Sequence, residues 1–370
     1  MAKRDPGLTF IGRLTAQLEE NWRGVRPFTA LRPLGALYGL GAQLRRHLYE
    51  RGTVNAARAE RPVVSLGNLT VGGAGKTPMC LAMARLLLER SCHPAILSRG
   101  YGRRPEARSP LIVSKGWARV VSDKVMASGP ADSGDEPWLM AAQLPQAAIV
   151  VDENRTRAAR LAVGGLGADI LLLDDGYQHL ALQADCRVLL IPARNPFGNG
   201  AVLPAGPLRE PVSAHRSADI IVVTGAAEPS PEALELSGDR PVFTAEYKSI
   251  AWTSARDGRT LRPEQLSGRP VYAFCGLGRP DGFQRSLERL NLDLRGFEAL
   301  RDHQKYDEAL LRRLNDDFKA SGAEFIVTTA KDAVKIPPDF FTDLLVLEME
   351  MHIHRADEFI EMVLSIVKKL

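Results

Sequence analysis

The chain has 370 residues, of which 45% are hydrophobic and 25% are charged, a balance typical of a folded protein with a sizeable core. Its net charge of +4 suits a negatively charged partner but does not require nucleic acid. No uncharged apolar run reaches the roughly 20 residues that span a bilayer. The four cysteines are scattered, which predicts reduced thiols in a cytosolic protein and no disulfide framework.

The first predicted element is basic and apolar and has two interpretations. Residues 23–49 contain five arginines and no acidic residue, and apolar side chains recur there at roughly helical spacing. A basic amphipathic helix can lie in the headgroup region of an anionic membrane. The alternative is a helix that packs on the protein with its arginines in water. Gly35, Gly39 and Gly41 are expected to weaken the helix in either case.

The next stretch, SLGNLTVGGAGKTP at residues 65–78, is typical of a phosphate-binding loop with one departure. The standard pattern is Gly, four free residues and Gly-Lys-Ser/Thr, but Thr70 stands where the first glycine is expected. In such a loop the glycines let backbone N–H groups face a phosphate, and we expect Lys76 to reach the terminal phosphates and the Thr77 hydroxyl to bind Mg²⁺. The alternative is a glycine-rich turn with a chance Gly-Lys-Thr. We expect nucleotide binding by Thr70, Val71, Gly72, Gly73, Ala74, Gly75, Lys76 and Thr77.

Strand-like and helix-like segments alternate along the chain. Strands are predicted at residues 62–66, 95–98, 148–151, 169–173, 187–191 and 219–224, and helices at 79–90 and 137–143. A hairpin is expected at residues 111–121. This alternation predicts an α/β fold of the P-loop NTPase type, with a mostly parallel sheet and helices on both faces. Ligands of such sheets gather at the carboxyl ends of the strands.

Two aspartates follow one of the predicted buried strands directly. Asp174 and Asp175 come after the apolar run ADILLL. A carboxylate at the end of a strand beside a phosphate loop can hold Mg²⁺. The alternative is that Asp-Asp-Gly is only a turn. Farther along, residues 225–241 become polar and proline-containing, and a second, smaller α/β unit opens near residue 271.

Six separated motifs occur in one order: GNLTVGGAGKTP (67–78), SRGYGR (98–103), GDEP (134–137), DDGYQH (174–179), LPAGPLREP (203–211) and DHQKY (302–306). Together they resemble the tetraacyldisaccharide 4′-kinase family of the lipid A pathway. The resemblance runs from about residue 23 to the C-terminal helix. It includes the unusual Thr70, because the loop of this family also begins TVGG.

The resemblance implies ATP-dependent phosphorylation, with Mg²⁺, of the 4′-hydroxyl of an acylated glucosamine disaccharide 1-phosphate, giving lipid IVA. It also implies two α/β/α domains joined by a β linker. We expect a membrane-associating segment (1–52), a P-loop kinase domain (53–236), an extended β linker (237–265) and a smaller C-terminal α/β domain (266–370). The resemblance further implies that the N-terminal segment dips into the cytoplasmic face of the bacterial inner membrane. Neither nucleic acid nor an obligate protein partner is expected.

Residue roles follow from the same motifs. Asp135 matches the family's general base, although the sequence alone favours an ordinary N-cap before a helix. Asp174 is expected to hold Mg²⁺ together with Thr77, and Asp175 to face the acceptor. His303 matches a family histidine that pairs with the second aspartate, whereas taken alone it is typical of a surface or capping residue.

Two further alternatives stay open from the sequence. Arg99, Tyr101 and Arg103 are candidates to contact the 1-phosphate or the sugar, or they form a solvated basic loop. The chain could also be a membrane-associated ATPase switch that acts on a protein. The loop of one switch class carries an extra lysine where Val71 stands, and the guanine-binding motif is incomplete at residues 329–332. Stimulation by the lipid disaccharide or by a protein distinguishes the two functions.

Overall fold

The computed structural model describes residues 29–72, 74–104, 110–118, 126–278, 280–301, 304–337 and 339–368. Gly73 and His303 lie outside the described residues, as does the part of the predicted N-terminal segment that precedes residue 29.

The described strands are β1 (Val63–Gly67), β2 (Pro94–Ser98), β3 (Leu111–Lys115), β4 (Ala148–Val151), β5 (Ile170–Leu173), β6 (Cys186–Pro192), β7 (Ile220–Thr224), β8 (Val242–Ser254), β9 (Thr260–Leu261), β10 (Pro270–Cys275), β11 (Asp293–Ala299), β12 (Phe325–Thr329) and β13 (Leu344–Ile353). The α-helices are α1 (Arg32–Glu50), α2 (Lys76–Glu89), α3 (Pro130–Ser133), α4 (Asp135–Gln143), α5 (Arg155–Arg160), α6 (Pro231–Ser237), α7 (Pro280–Arg289), α8 (Glu308–Ser321), α9 (Ala330–Ala333) and α10 (Ala356–Lys368). Short 3₁₀ or π turns lie at Thr29–Leu31, Leu161–Gly165, Val212–Ser217 and Pro263–Leu266.

These strands form one sheet in the order β11-β10-β12-β13-β8-β7-β6-β1-β5-β2-β4-β3, with β9 beside β8. Pairing is parallel except for β13 with β8, β3 with β4 and β8 with β9. The predicted α/β fold with a mostly parallel sheet is therefore confirmed. Its central strands are buried on both faces, since Val64 and Leu66 of β1 join one core cluster and Val63 joins another.

Local sequence signals explain several helix boundaries. Asn154 caps α5 by accepting a hydrogen bond from Arg157 N, and Asp307 caps α8 by accepting from Leu310 N. The residue after α8 is Gly322, in the left-handed conformation that commonly ends a helix.

β3 pairs with β4 as an antiparallel edge strand. The return strand of the hairpin predicted at residues 111–121 lies largely outside the described residues, so that hairpin stays a prediction.

The boundary between the two predicted domains falls inside the continuous sheet. Strand β8, which the sequence predicts as an extended linker, pairs in parallel with β7 through residues 242–245 and antiparallel with β13 through residues 245–254. Helix α10 belongs to the predicted second domain but packs in the same core cluster as α2. The division into two domains stays a prediction, and the two halves share core contacts.

Gly35 and Gly39 of helix α1 face the loop at residues 202–211, whereas Gly41 is exposed. A Cβ atom added at Gly35 would lie 2.9 Å from the carbonyl oxygen of Val202 and 3.2 Å from Cβ of Ala205. A Cβ atom at Gly39 would lie 3.5 Å from Val202 and Pro211, an ordinary van der Waals contact. Glycine lowers helix propensity, as the sequence indicates, but Gly35 lets the helix approach the loop at residues 202–211 where a larger side chain would collide.

The opposite face of α1 is apolar and exposed. Five large side chains there are between 47% and 68% exposed, namely Leu34, Leu37, Tyr38, Leu40 and Leu44. In the part of the chain that the structure describes, no helix is long and apolar enough to cross a membrane.

Candidate active site

The loop between β1 and α2 has the backbone of a phosphate-binding loop. Gly72 and Gly75 have φ values of 97° and 79°, in the region that favours glycine. A Cβ at Gly75 would also lie 2.7 Å from the terminal carbon of Met351. The positive φ values described in this loop thus fall after position 70. Thr70 is buried and its hydroxyl accepts a hydrogen bond of 2.9 Å from Asn68 Nδ2, so this position needs no glycine.

Lys76 is the first residue of α2 and points back across the loop. Its ammonium group donates to Asn68 Oδ1 at 3.1 Å and to the carbonyl oxygen of Gly72 at 3.4 Å. It also lies 3.6 Å from Asp175 Oδ1. Burial lowers the pKa of Lys76, while the charge of Asp175 opposes that change.

Asp174 directly follows β5, and this buried residue is only 4% exposed. Burial raises its pKa to about 7, and Glu136 adds to the rise while Lys76 opposes it. Ser98 Oγ donates to Asp174 Oδ2 at 3.4 Å. Asp174 Oδ1 has no hydrogen-bond partner among the described residues. Because a buried polar atom without a partner costs free energy, this oxygen is suited to a ligand.

Asp175 faces two cations. Arg209 Nη1 lies 2.8 Å from both carboxylate oxygens, in addition to the contact with Lys76. Burial alone would raise the pKa of Asp175, but Lys76 and Arg209 outweigh burial and hold the pKa below its usual value. Two neighbouring aspartates therefore have pKa values shifted in opposite directions, an arrangement that separates roles in active sites. The positive φ of Asp175, 51°, turns the chain sharply at this point.

Arg209 and Glu210 belong to the motif at residues 203–211, which predicts no role for either residue. Arg209 N donates to the carbonyl oxygen of Leu69 at 2.7 Å, which fixes the arginine beside the phosphate loop. The side chain of Glu210 is buried and accepts from Arg46 of α1 at 2.6 Å. Gln178 Nε2 donates to Glu210 Oε2 at 3.3 Å. Motif membership was the one available signal for these residues, and it does not specify partners.

Asp135 is the first residue of α4 and does not cap it. The N-cap is Gly134, with a φ of 92°, and a Cβ there would lie 2.6 Å from the carbonyl oxygen of Tyr101. The N-cap interpretation of Asp135, which the sequence alone favours, is wrong. Instead, Asp135 Oδ2 lies 3.4 Å from the ammonium nitrogen of Lys335, a residue from the other half of the chain.

The other predicted site residues among those described lie in the first turn of α2 or in the loop after β2. Arg99 and Tyr101 are exposed after β2, and Arg103 is half-buried. Thr77 is half-buried in the first turn of α2. The partner expected for Asp175, His303, is outside the described residues, so their pairing stays a prediction.

A surface pocket of about 640 Å³ borders the Asp174–His179 motif. It is lined by Glu153, Asn154, Thr156, Arg157, Arg160, His179 and Ala181. Burial lowers the pKa of His179 to about 4, and Arg155 and Arg45 add to this effect.

The site combines a strand, a glycine-rich loop and the N-terminus of a helix with two aspartates that follow a neighbouring strand. This arrangement defines a phosphate-loop nucleotide-binding protein. Among the described residues, no three His, Cys, Asp or Glu side chains converge on a metal position. Such proteins hold Mg²⁺ with one or two side chains and with the phosphates of the nucleotide.

Comparisons with known proteins identify the family. A model of the tetraacyldisaccharide-1-P 4′-kinase family matches residues 28–368. A tetraacyldisaccharide 4′-kinase from Anaeromyxobacter dehalogenans (strain 2CP-C) is 43% identical over 342 residues, covering 87% of this chain and 86% of the relative. One from Syntrophus aciditrophicus (strain SB) is 36% identical over 360 residues, covering 92% and 94%. The crystal structure of LpxK from Aquifex aeolicus in complex with ATP has a TM-score of 0.73 at 29% identity, covering 92% of this chain and 99% of that chain. The chain therefore belongs to the tetraacyldisaccharide 4′-kinase family, as its motifs indicate.

Proposed function

We propose that this chain is an ATP-dependent kinase that phosphorylates the 4′-hydroxyl of tetraacyldisaccharide 1-phosphate and so forms lipid IVA. Family membership supports this function, as do the names of the relatives and the ATP held by the solved relative. The observation that carries it is that Lys76, in the loop after β1, lies 3.6 Å from Asp175, which follows Asp174, while Asp135 begins α4.

The nucleotide is held by Thr70–Thr77, with backbone N–H groups and Lys76 on its phosphates. Thr77 and Asp174 are the proposed Mg²⁺ ligands. The buried Oδ1 of Asp174, which has no hydrogen-bond partner in the described part of the chain, fits a cation. When bound, Mg²⁺ neutralises charge on the phosphates and orients them. A cation would also keep Asp174 ionised, against the effect of its burial.

Phosphoryl transfer needs a base because a sugar hydroxyl is a weak nucleophile. As the 4′-oxygen bonds to the γ-phosphorus and the bond to the β-phosphate oxygen breaks, Asp135 takes the hydroxyl proton. Lys76 and Arg209 keep Asp175 ionised on the acceptor side, where the pair with His303 would orient the imidazole. Arg99, Tyr101 and Arg103 are proposed to contact the headgroup, the arginines on its 1-phosphate.

Membrane attachment belongs to the same proposal. The exposed apolar face of α1 would lie in the cytoplasmic leaflet of the bacterial inner membrane, with arginines near anionic headgroups. Arg46 ties this helix to the site, because it binds Glu210 and also donates to the carbonyl oxygen of Tyr177 at 3.1 Å. A lipid acceptor would thus reach the site from the surface on which the helix rests.

One assay tests the function. The purified full chain is incubated with radiolabelled ATP, Mg²⁺ and tetraacyldisaccharide 1-phosphate in mixed micelles, and the lipids are separated by charge. The expected product is a doubly phosphorylated lipid, with little ATP turnover when the acceptor is omitted. Turnover that ignores the lipid and rises with a protein fraction would instead support an ATPase switch.

A further inference from the structure

Lys335 is a largely buried cation beside the proposed base. Its side chain is 13% exposed, and its ammonium nitrogen lies 3.4 Å from Asp135 Oδ2. The nitrogen has no hydrogen-bond partner among the described residues. Because burying an ammonium group is costly unless an opposite charge compensates it, the pairing with Asp135 explains its position.

The segment that carries Lys335 is firmly anchored. Asp332 is fully buried and accepts hydrogen bonds from Gly276 N at 3.0 Å and Thr329 Oγ1 at 2.6 Å. Lys335 N donates to the carbonyl oxygen of Asp332 at 3.0 Å, and α9 packs against α4. These hydrogen bonds hold the backbone near Lys335 in place, so that its side chain lies beside Asp135 although the two residues are far apart in sequence.

We propose that Lys335 is a positioning residue for phosphoryl transfer, holding the carboxylate of Asp135 in one orientation. An ammonium group at Oδ2 restricts rotation of the carboxylate, so that the other oxygen faces the hydroxyl that loses its proton. Lys335 keeps its own protons and forms no covalent bond. This inference rests on the role proposed above for Asp135, and it makes the base dependent on contact between the two halves.

The test compares full-length variants under saturating acceptor. Lys335→Met should lower kcat about 10- to 100-fold and leave the KM for ATP within about twofold, because orientation acts on the transition state. Lys335→Arg, which restores the positive charge, should recover much of the lost rate. Lys319→Met, an exposed lysine on α8, is the matched control and should behave as wild type.

A double-variant cycle separates positioning from other roles. In an Asp135→Asn background, Lys335→Met should cost less than about twofold, since residues that act as one unit are non-additive. Multiplicative losses, or a loss confined to the KM for ATP, would overturn the inference and make Lys335 an independent contact. Lys335→Gln is a second neutral variant, and unfolding of both neutral variants in thermal melts would make the residue structural.

The outcomes also distinguish this inference from the function on which it rests. A wild-type chain that forms no phosphorylated lipid removes both. Full activity of Asp135→Asn rejects the base and with it the positioning role. Turnover that needs Asp135 but is unchanged in Lys335→Met rejects the positioning role alone.

Discussion

At the scale of single residues, the sharp turn at Asp175 gives two adjacent carboxyl groups different surroundings. Asp174 is buried beside Ser98, and one of its oxygens has no hydrogen-bond partner among the described residues, whereas Asp175 contacts Lys76 and Arg209. Asp174 is therefore suited to bind a cation, whereas Asp175 already contacts two cationic side chains. The different surroundings of Asp174 and Asp175 therefore support different roles for the two residues, which the motif alone does not distinguish.

Lys76→Ala should reduce lipid phosphorylation at least about 100-fold, because the charge that reaches the terminal phosphates is lost. The fold should persist, since the loop backbone is set by Gly72 and Gly75 and not by the lysine. Steady-state kinetics and a thermal melt measure the two effects. Arg85→Ala on the same helix, in a partly exposed ion pair with Glu350, is the control and should retain near-normal activity. Near-normal turnover of Lys76→Ala would reject the nucleotide loop.

The burial of His179 predicts that the stability of the fold depends on pH, and the lowered pKa sets the sign of the effect. Its pKa falls from 6.5 to about 4, so the unfolded chain binds a proton in this range that the native state does not. Its contribution to stability is therefore present above pH 6.5 and is lost as the pH falls through 4. His179→Gln should show a shallower fall in Tm over this range than wild type. Parallel Tm curves for the two proteins would contradict the environment described for this histidine.

At the scale of elements, α1 places Gly35 and Gly39 against the protein and four exposed leucines outward, and this division supports a membrane test. Leu37→Glu combined with Leu40→Glu should lower binding to anionic vesicles at least about tenfold, since each buried leucine contributes roughly 1.5–3 kcal/mol. Tm should change little because both side chains are exposed. Leu234→Glu, another exposed leucine, is the matched control in α6. Unchanged vesicle binding by the double variant would contradict the membrane role of this face.

Elements were predictable where local pattern suffices. The central strands lie within about one residue of their predicted bounds because each is a short, mostly buried and mostly apolar run. The interpretation of Asp135 as a cap failed because Gly134 takes the N-cap position in a conformation that glycine favours. Lys335 and Arg209 could not be assigned, since each meets its carboxylate through tertiary contacts that no spacing in the chain records.

At the scale of the whole molecule, the two predicted domains share a sheet and a core. Strand β8 joins their strands, and α10 returns from the C-terminal end to pack with α2, the helix that follows the phosphate loop. The ion pair of Lys335 with Asp135 adds a polar contact between the same halves. Stability of the nucleotide loop should therefore depend on residues far from it in sequence.

Replacing Phe359 tests whether the stability of the nucleotide loop depends on the C-terminal helix. It is fully buried in α10 and packs edge-to-face on Phe243 of β8 with ring centroids 5.3 Å apart. Phe359→Ala should cost about 3–5 kcal/mol, the usual penalty for emptying such a site. Because α10 and α2 share a cluster, calorimetry should give one transition with a lower Tm, and ATP binding should be lost at that same temperature. Met362→Ala, on the partly exposed face of the same helix, should leave Tm nearly unchanged. Two transitions, with ATP binding surviving the first, would show instead that the halves unfold independently and that α10 only covers the core it contacts.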